Sequence, residues 1–136
     1  GDVLGAIQDY SKVIKLNPSS TLAYNNRAYY YNKINEYEAA ILDCNQAIEL
    51  DSEYAYPYNN KGYAQFKLGD YEAALENCNR SMQLDMGNAY VYYYRALILK
   101  KLGKDSMSKI NLQKANTMQF PEADRDLEAE AFIKLQ

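Results

Sequence analysis

The sequence predicts an all-α fold, an α-α superhelix: a right-handed solenoid of antiparallel helix pairs. Three observations lead there. One helical phrase recurs at a fixed offset. Tyr37–Leu50 reads YEAAILDCNQAIEL, Tyr71–Leu84 reads YEAALENCNRSMQL thirty-four residues later, and residues 6–16 read AIQDYSKVIKL at the same offset upstream. A period within about 20–50 residues marks a stacked repeat array. Small residues recur in phase, as Ala28/Gly62/Ala96, Ala6/Ala40/Ala74 and Ala47/Ala115. Large side chains at close helix crossings cost roughly 1–3 kcal/mol of overpacking strain, so fixed small residues point to such crossings. Aromatics also keep phase, as Tyr24/Tyr58/Tyr92 and Tyr37/Tyr71, where they read as wedges between units.

The 136 residues suit one domain. Residues 1–20 form the second helix of a truncated unit, with Leu4, Ile7, Val13 and Ile14 packing. Gly1-Asp2-Val3 matches Gly69-Asp70-Tyr71, a link between two helices, so the chain reads as a fragment of a longer protein. Pro18 ends this helix, because proline cannot continue the hydrogen-bond ladder. Residues 21–54 are a complete repeat, with helices over 23–32 and 36–49 joined at Lys33-Ile34-Asn35. Three consecutive tyrosines cannot share one helix face. Tyr29 is therefore expected on the concave side, with Tyr30 and Tyr31 inward or along the edge. Residues 55–88 are the most regular copy, with helices over 55–67 and 71–84. Pro57 lies in its first turn, where a missing amide costs little. Gly69 suits the tight link, and Asp70 is a candidate N-cap. Residues 89–120 diverge: Asp105 stands in the phase of Tyr37 and Tyr71, Ser108 in that of Ala40 and Ala74, and Pro121 comes one residue late. The expected helices are 89–102 and 106–118. Residues 121–136 are expected to form a capping helix over 121–135. Leu127, Ala131 and Ile133 or Phe132 would face the array, and Glu122, Asp124, Asp126, Glu128 and Glu130 would face solvent.

Composition narrows the chemistry. The sequence has no histidine, which removes histidine acid–base catalysis and most zinc ligand sets. The glycines are scattered, forming no phosphate loop. No cofactor and no metal site is expected, and no enzymatic activity. The net charge of −3 lends no support to nucleic-acid binding, which usually accompanies a strongly basic domain. No run of apolar residues is long enough to span a membrane. Cys44 and Cys78 sit one repeat apart, too far for the roughly 4.4–6.8 Å between Cα atoms of a disulfide. Buried free thiols fit a reducing compartment and lean towards the cytoplasm. Asn79-Arg80-Ser81 matches a glycosylation pattern, but the phase of Ser81 places it between helices. Charge is graded along the array: residues 21–54 are acidic and residues 89–120 basic.

The period, the three small-residue phases, the aromatic wedges and Pro18 at a repeat boundary together resemble the tetratricopeptide repeat (TPR) family, over almost the whole chain. Tyr24 and Tyr58 stand where that family often has tryptophan. The resemblance implies a non-catalytic module that presents a concave face, lined by the first helix of each pair, to a protein or peptide. The matching positions are Leu22, Asn25, Asn26 and Tyr29; Tyr56, Asn59, Asn60, Tyr63, Phe66 and Lys67; and Tyr90, Tyr93, Tyr94, Leu97 and Lys101. Asparagine both donates and accepts, so Asn25-Asn26 and Asn59-Asn60 could pair with the backbone of an extended ligand. Tyrosine adds rigid contact area with a polar tip. The footprint is expected to centre on Tyr56, Asn60, Tyr63, Tyr90, Tyr93, Tyr94 and Lys101, with the lysines favouring an acidic residue in the ligand. The two-carboxylate clamp of one TPR subclass is incomplete: Asn26 fits, but Tyr56 and Asn60 stand where Lys and Arg belong. The alternative function is a structural or self-association segment, with a second chain covering the truncated N-terminal end.

Overall fold

Short polar side chains and one proline set where several helices start. Asp2 accepts a hydrogen bond from the Gly5 amide at 2.9 Å and opens α1 (Val3–Leu16). Ser20 does the same for the Ala23 amide at the start of α2 (Thr21–Lys33), and Asn88 for the Tyr90 amide at the start of α6 (Ala89–Lys101). Pro57 lies in the first turn of α4 (Tyr56–Lys67). The second helices are α3 (Tyr37–Leu50), α5 (Tyr71–Leu84) and α7 (Asp105–Thr117). Asp70 precedes α5 but its side chain makes no capping bond, unlike the expectation. This computed structural model describes residues 2–134, and among them the fold is all α-helical apart from one 3₁₀ turn, with no strand.

Two kinds of link alternate. Within each pair, Asn35, Gly69 and Gly103 occupy one phase and all adopt left-handed backbone, with φ of 62°, 88° and 75°. This lets the amides of Glu36, Asp70 and Lys104 return to the carbonyls of Tyr31, Gln65 and Leu99, each at 2.9 Å. That six-to-one bond satisfies a carbonyl the helix end would leave bare. Between pairs, Asn17, Asp51 and Asp85 share another phase and are extended. Each side chain accepts the amide two residues ahead, at 3.3, 3.0 and 2.9 Å. These Asx turns point the chain into the next unit.

The small-residue phases are the helix crossings. Ala28, Ala40, Ala47, Ala74, Ala96 and Ala115 are fully buried. A Cβ on Gly62 would come within 2.7 Å of Cys78 Sγ and 3.0 Å of the Ala74 carbonyl. Both cysteines are free and buried, and burial pushes the Cys78 thiol up to about 12 and Cys44 higher still, so neither is a reactive thiolate. The divergences of the third unit are accommodated locally. Ser108 donates to the Ala96 carbonyl at 2.6 Å, and Asp105 pairs with Lys100 at 3.0 Å. Ser81 is likewise buried, donating to the Ala55 carbonyl at 2.9 Å. Tyr58 and Tyr92 each donate to a carbonyl six residues upstream, Ser52 and Met86, which ties them to the seam between units.

The C-terminal part departs from expectation. Gln119 shares the phase of Asn17, Asp51 and Asp85, yet its backbone is left-handed, with φ of 60°. The Phe120 amide closes back on the Ala115 carbonyl at 3.1 Å. The chain therefore turns towards the concave face and starts no further pair. Residues 121–126 run as a strap containing the 3₁₀ turn Glu122–Asp124, and only then does α8 (Leu127–Lys134) begin. Proline at 121 and extended backbone at Arg125, φ −71° and ψ 135°, interrupt the continuous helix anticipated over 121–135. Residues 135 and 136 lie outside the described part. The facing is also partly reversed, although Glu122 and Glu128 are exposed as expected. Leu127 is 67 % exposed and Ala131 and Phe132 are exposed, whereas Asp124 and Asp126 turn inward and Glu130 is only 1 % exposed. Ile133 alone of the expected apolar set is buried.

Two of these left-handed positions, Gly69 and Gln119, should respond oppositely to substitution. Nothing lies within 4 Å of a Cβ placed on Gly69, so Gly69→Ala carries only the backbone penalty. It is expected to cost about 1–2 kcal/mol in urea unfolding. Gln119→Gly should instead gain a smaller amount, because glycine relieves the left-handed residue but loosens the unfolded chain.

Candidate functional site

Helices α2, α4 and α6 lie side by side and line the concave face, and the strap crosses it. Residues four apart on a helix share a face. Tyr29 and Lys33 on α2 are such a pair, and so are Tyr63 and Lys67 on α4, one repeat later. Each pair holds one strap carboxylate. Asp124 accepts from the Tyr29 hydroxyl at 2.6 Å, from Lys33, and from the Tyr90 hydroxyl of α6. Asp126 Oδ2 accepts from the Tyr63 hydroxyl at 3.0 Å and from Lys67 Nζ at 2.7 Å. Its Oδ1 accepts the Ala129 amide at 3.0 Å, so the same side chain caps α8. Lys33 also donates to the Ala123 carbonyl at 3.1 Å.

The third unit holds the strap differently. The Tyr93 hydroxyl donates to Glu130 at 3.0 Å and accepts the Asp126 amide at 2.8 Å. Arg125 donates to both Glu130 oxygens, at 2.9 and 3.0 Å. Phe120 stacks on Tyr93 with ring centroids 4.0 Å apart and meets Tyr90 edge-on at 4.9 Å. Tyr94 is buried beneath, stacked on Tyr63 at 4.6 Å. Beside the strap an open cleft of about 390 Å³ remains, lined mainly by Tyr29, Lys33, Tyr37, Tyr63 and Lys67 from the helices.

The structure gathers some of the anticipated residues and disperses others. Tyr29, Tyr63, Lys67 and Tyr90 face the groove and touch the strap. Tyr93, Tyr94 and Leu97 are buried in the aromatic layer. Of the asparagines, Asn25 and Asn60 are buried within the stack and Asn26 is half-buried. Asn60 donates to Asn25 at 2.9 Å, Asn25 to Asn26 at 3.3 Å, and Asn26 to the Tyr10 hydroxyl at 3.3 Å. Asn59 is buried as well. The ladder anticipated for a ligand backbone thus joins helices to one another. Tyr56 is 40 % exposed and packs edge-on against Tyr54, away from the strap. Leu22 is exposed, Phe66 is buried against Tyr71, and Lys101 lies over Phe132 of α8 at 4.9 Å. Tyr30 stacks on Tyr10 at 6.0 Å, at the edge as anticipated. Residues 33, 120, 124, 125, 126 and 130 were not singled out as groove residues. The legible signal was the repeated Tyr-x-x-x-Lys beside an Asp-x-Asp in the tail.

Burial alone would raise the pKa of Asp124 and Asp126. The hydrogen bonds and positive charge of Lys33 and Lys67, with the tyrosine hydroxyls, outweigh it, so both carboxyls lie below their usual value. Burial, reinforced by these carboxylates, raises Tyr29, Tyr63 and Tyr90, which therefore remain donors well into alkaline solution. The docked strap binds fewer protons than the free strap. The proton-linked contribution to docking is accordingly fully present at neutral pH and is lost as pH falls below about 4, the ordinary carboxylate range. Near-ultraviolet circular dichroism of the tyrosines should stay constant from pH 8 to about pH 5 and change below about 4. A transition centred near neutrality would contradict the assignment.

The family model of the tetratricopeptide repeat matches residues 21–54 and 55–85. No curated protein matches the sequence. Among solved structures, MamA is 26 % identical with a TM-score of 0.73, over 99 % of this chain and 77 % of that one. YrrB, described as a TPR protein with an unusual peptide-binding site, is 26 % identical with a TM-score of 0.71, over 91 % of this chain and 62 % of that one. TTC0263, a thermophilic TPR protein of Thermus thermophilus, shares the fold at 14 % identity, with a TM-score of 0.77 over 97 % of this chain and 73 % of that one. Residues 21–85 are thus two tetratricopeptide repeats, and the third unit, with the same links, continues the helical stack that these structures share.

Proposed function

We propose that this module binds a segment of a partner protein on the concave face formed by α2, α4 and α6, through Tyr29, Tyr63, Lys67 and Tyr90. One observation carries the reading: this face already holds an irregular segment, and holds it with side chains repeated from unit to unit. Such a groove can take another segment by the same donors. The description of YrrB as having a peptide-binding site supports the reading. Lys33, Lys67 and Lys100 are engaged by carboxylates, and the chain is acidic overall, so a nucleic-acid backbone is not the favoured occupant. Among the described residues no acidic or thiol cluster could hold a metal, and no helix is long and apolar enough to cross a membrane.

Self-association is the second reading, favoured by α1. It has no buried residue and exposes Leu4, Val13 and Leu16. Sedimentation equilibrium separates the two: a concentration-independent monomer removes self-association of this chain. For the main reading, hydrogen exchange of a captured complex should show new protection in α2 and α4. Protection confined to α3, α5 and α7 would place the interface on the opposite face.

A further inference from the structure

We propose that the groove reads an extended acidic segment of a partner protein with two carboxylates at positions i and i+2, and that residues 121–126 are a built-in competitor for it. This rests on the interaction-module reading and names its ligand chemistry. Alternate residues of an extended chain point the same way and lie about 6.6 Å apart. Asp124 and Asp126 are such a pair around extended Arg125. Their receptors are one repeat apart: Tyr29 and Lys33 take the first carboxylate, Tyr63 and Lys67 the second. Neighbouring helix axes lie about 8–10 Å apart, and long Tyr and Lys side chains close the difference. In the third unit the phase carries Leu97 and Lys101. Leu97 is buried and Lys101 covers Phe132, so the periodic reader has two sites.

The strap's contacts over 121–126 are almost all polar, and a foreign Asp-x-Asp segment would reproduce those of the two side chains. Ala123 and Leu127 stay exposed, so the strap puts no large apolar side chain into the groove. The open cleft beside it leaves room for ligand side chains that the strap does not supply. A second copy of this chain is the weaker occupant. It brings the same segment, which each chain already satisfies internally at an effective concentration on the order of millimolar.

The test uses the full chain and a fluorescent peptide with the sequence of residues 120–128, FPEADRDLE. In the variant D124N/D126N the strap loses its charge while Asn keeps the ability to cap α8. The peptide should bind this variant at least about tenfold tighter than the unaltered chain, because a docked strap leaves the site free in about a tenth of molecules or fewer. A peptide with both aspartates changed to asparagine should not bind. Adding K33Q and K67Q to the variant should lose at least about ten times the affinity, because both carboxylates lose their cations. Equal affinity for variant and unaltered chain, no binding to either, or binding indifferent to the peptide carboxylates overturns the proposal. Dimers that exchange the strap would show the source to be a second copy and overturn the assignment to a partner. If the variant loses helicity, excess peptide is titrated into the unaltered chain. The amide resonances of residues 123–126 must then shift, and their failure to move overturns the proposal. A captured partner that protects α2 and α4 while this peptide fails to bind would leave the interaction-module reading standing.

Discussion

Asp124, Asp126 and Glu130 lie against a layer of tyrosines, and the placement of the strap and α8 depends on their being paired there. A carboxylate drawn out of water without partners costs several kcal/mol. Each of these has its own set: Tyr29, Lys33 and Tyr90 for the first, Tyr63, Lys67 and the Ala129 amide for the second, Tyr93 and Arg125 for the third. Pairing of this kind returns most of the desolvation cost and adds little beyond it. Its main effect is placement: the register seen sets Asp124 opposite Tyr29 and Lys33 and Asp126 opposite Tyr63 and Lys67. The apolar contribution comes from beneath and from the ends, in the Tyr63–Tyr94 and Tyr93–Phe120 stacks and in buried Ile133.

The strap reaches the groove because of one backbone position. Asn17, Asp51 and Asp85 use a short side chain to hold the amide two residues on, and the chain proceeds into another unit. Gln119 occupies the same phase with a longer side chain and a left-handed backbone, and the chain folds back across the units already built. A chain leaving a unit can stack the next one at once or fold back, and here residues 121–126 fold back over the concave face.

The stack itself was legible because small residues, tyrosines and link residues keep a thirty-four-residue phase, and phase reports helix crossings directly. Gly69 announced its link, and the structure adds Asn35 and Gly103 in the same conformation. The concave face was half legible. Tyr29, Tyr63, Lys67 and Tyr90 share a helix phase and all meet the strap. Asn25 and Asn60 share that phase and are buried in a bond to each other, which joins α2 to α4. The strap was misread because alternating acidic residues after a proline look like a solvated helix. Period alone does not show that the chain reverses at Gln119, and the partners of Asp124 on α2 lie ninety or more residues away.

The central claim is that Asp124 and Asp126 occupy the two Tyr–Lys sites of their own chain. Nuclear Overhauser contacts from the ring protons of Tyr29 and Tyr63 to the β protons of Asp124 and Asp126 test it most directly. A dilute sample at neutral pH, supplemented by a mixture of labelled and unlabelled chains, separates internal contacts from exchanged ones. The account predicts strong contacts, Tyr29 to Asp124 and Tyr63 to Asp126, arising within a single chain. Their absence, with the aspartate resonances at random-coil positions, would contradict it.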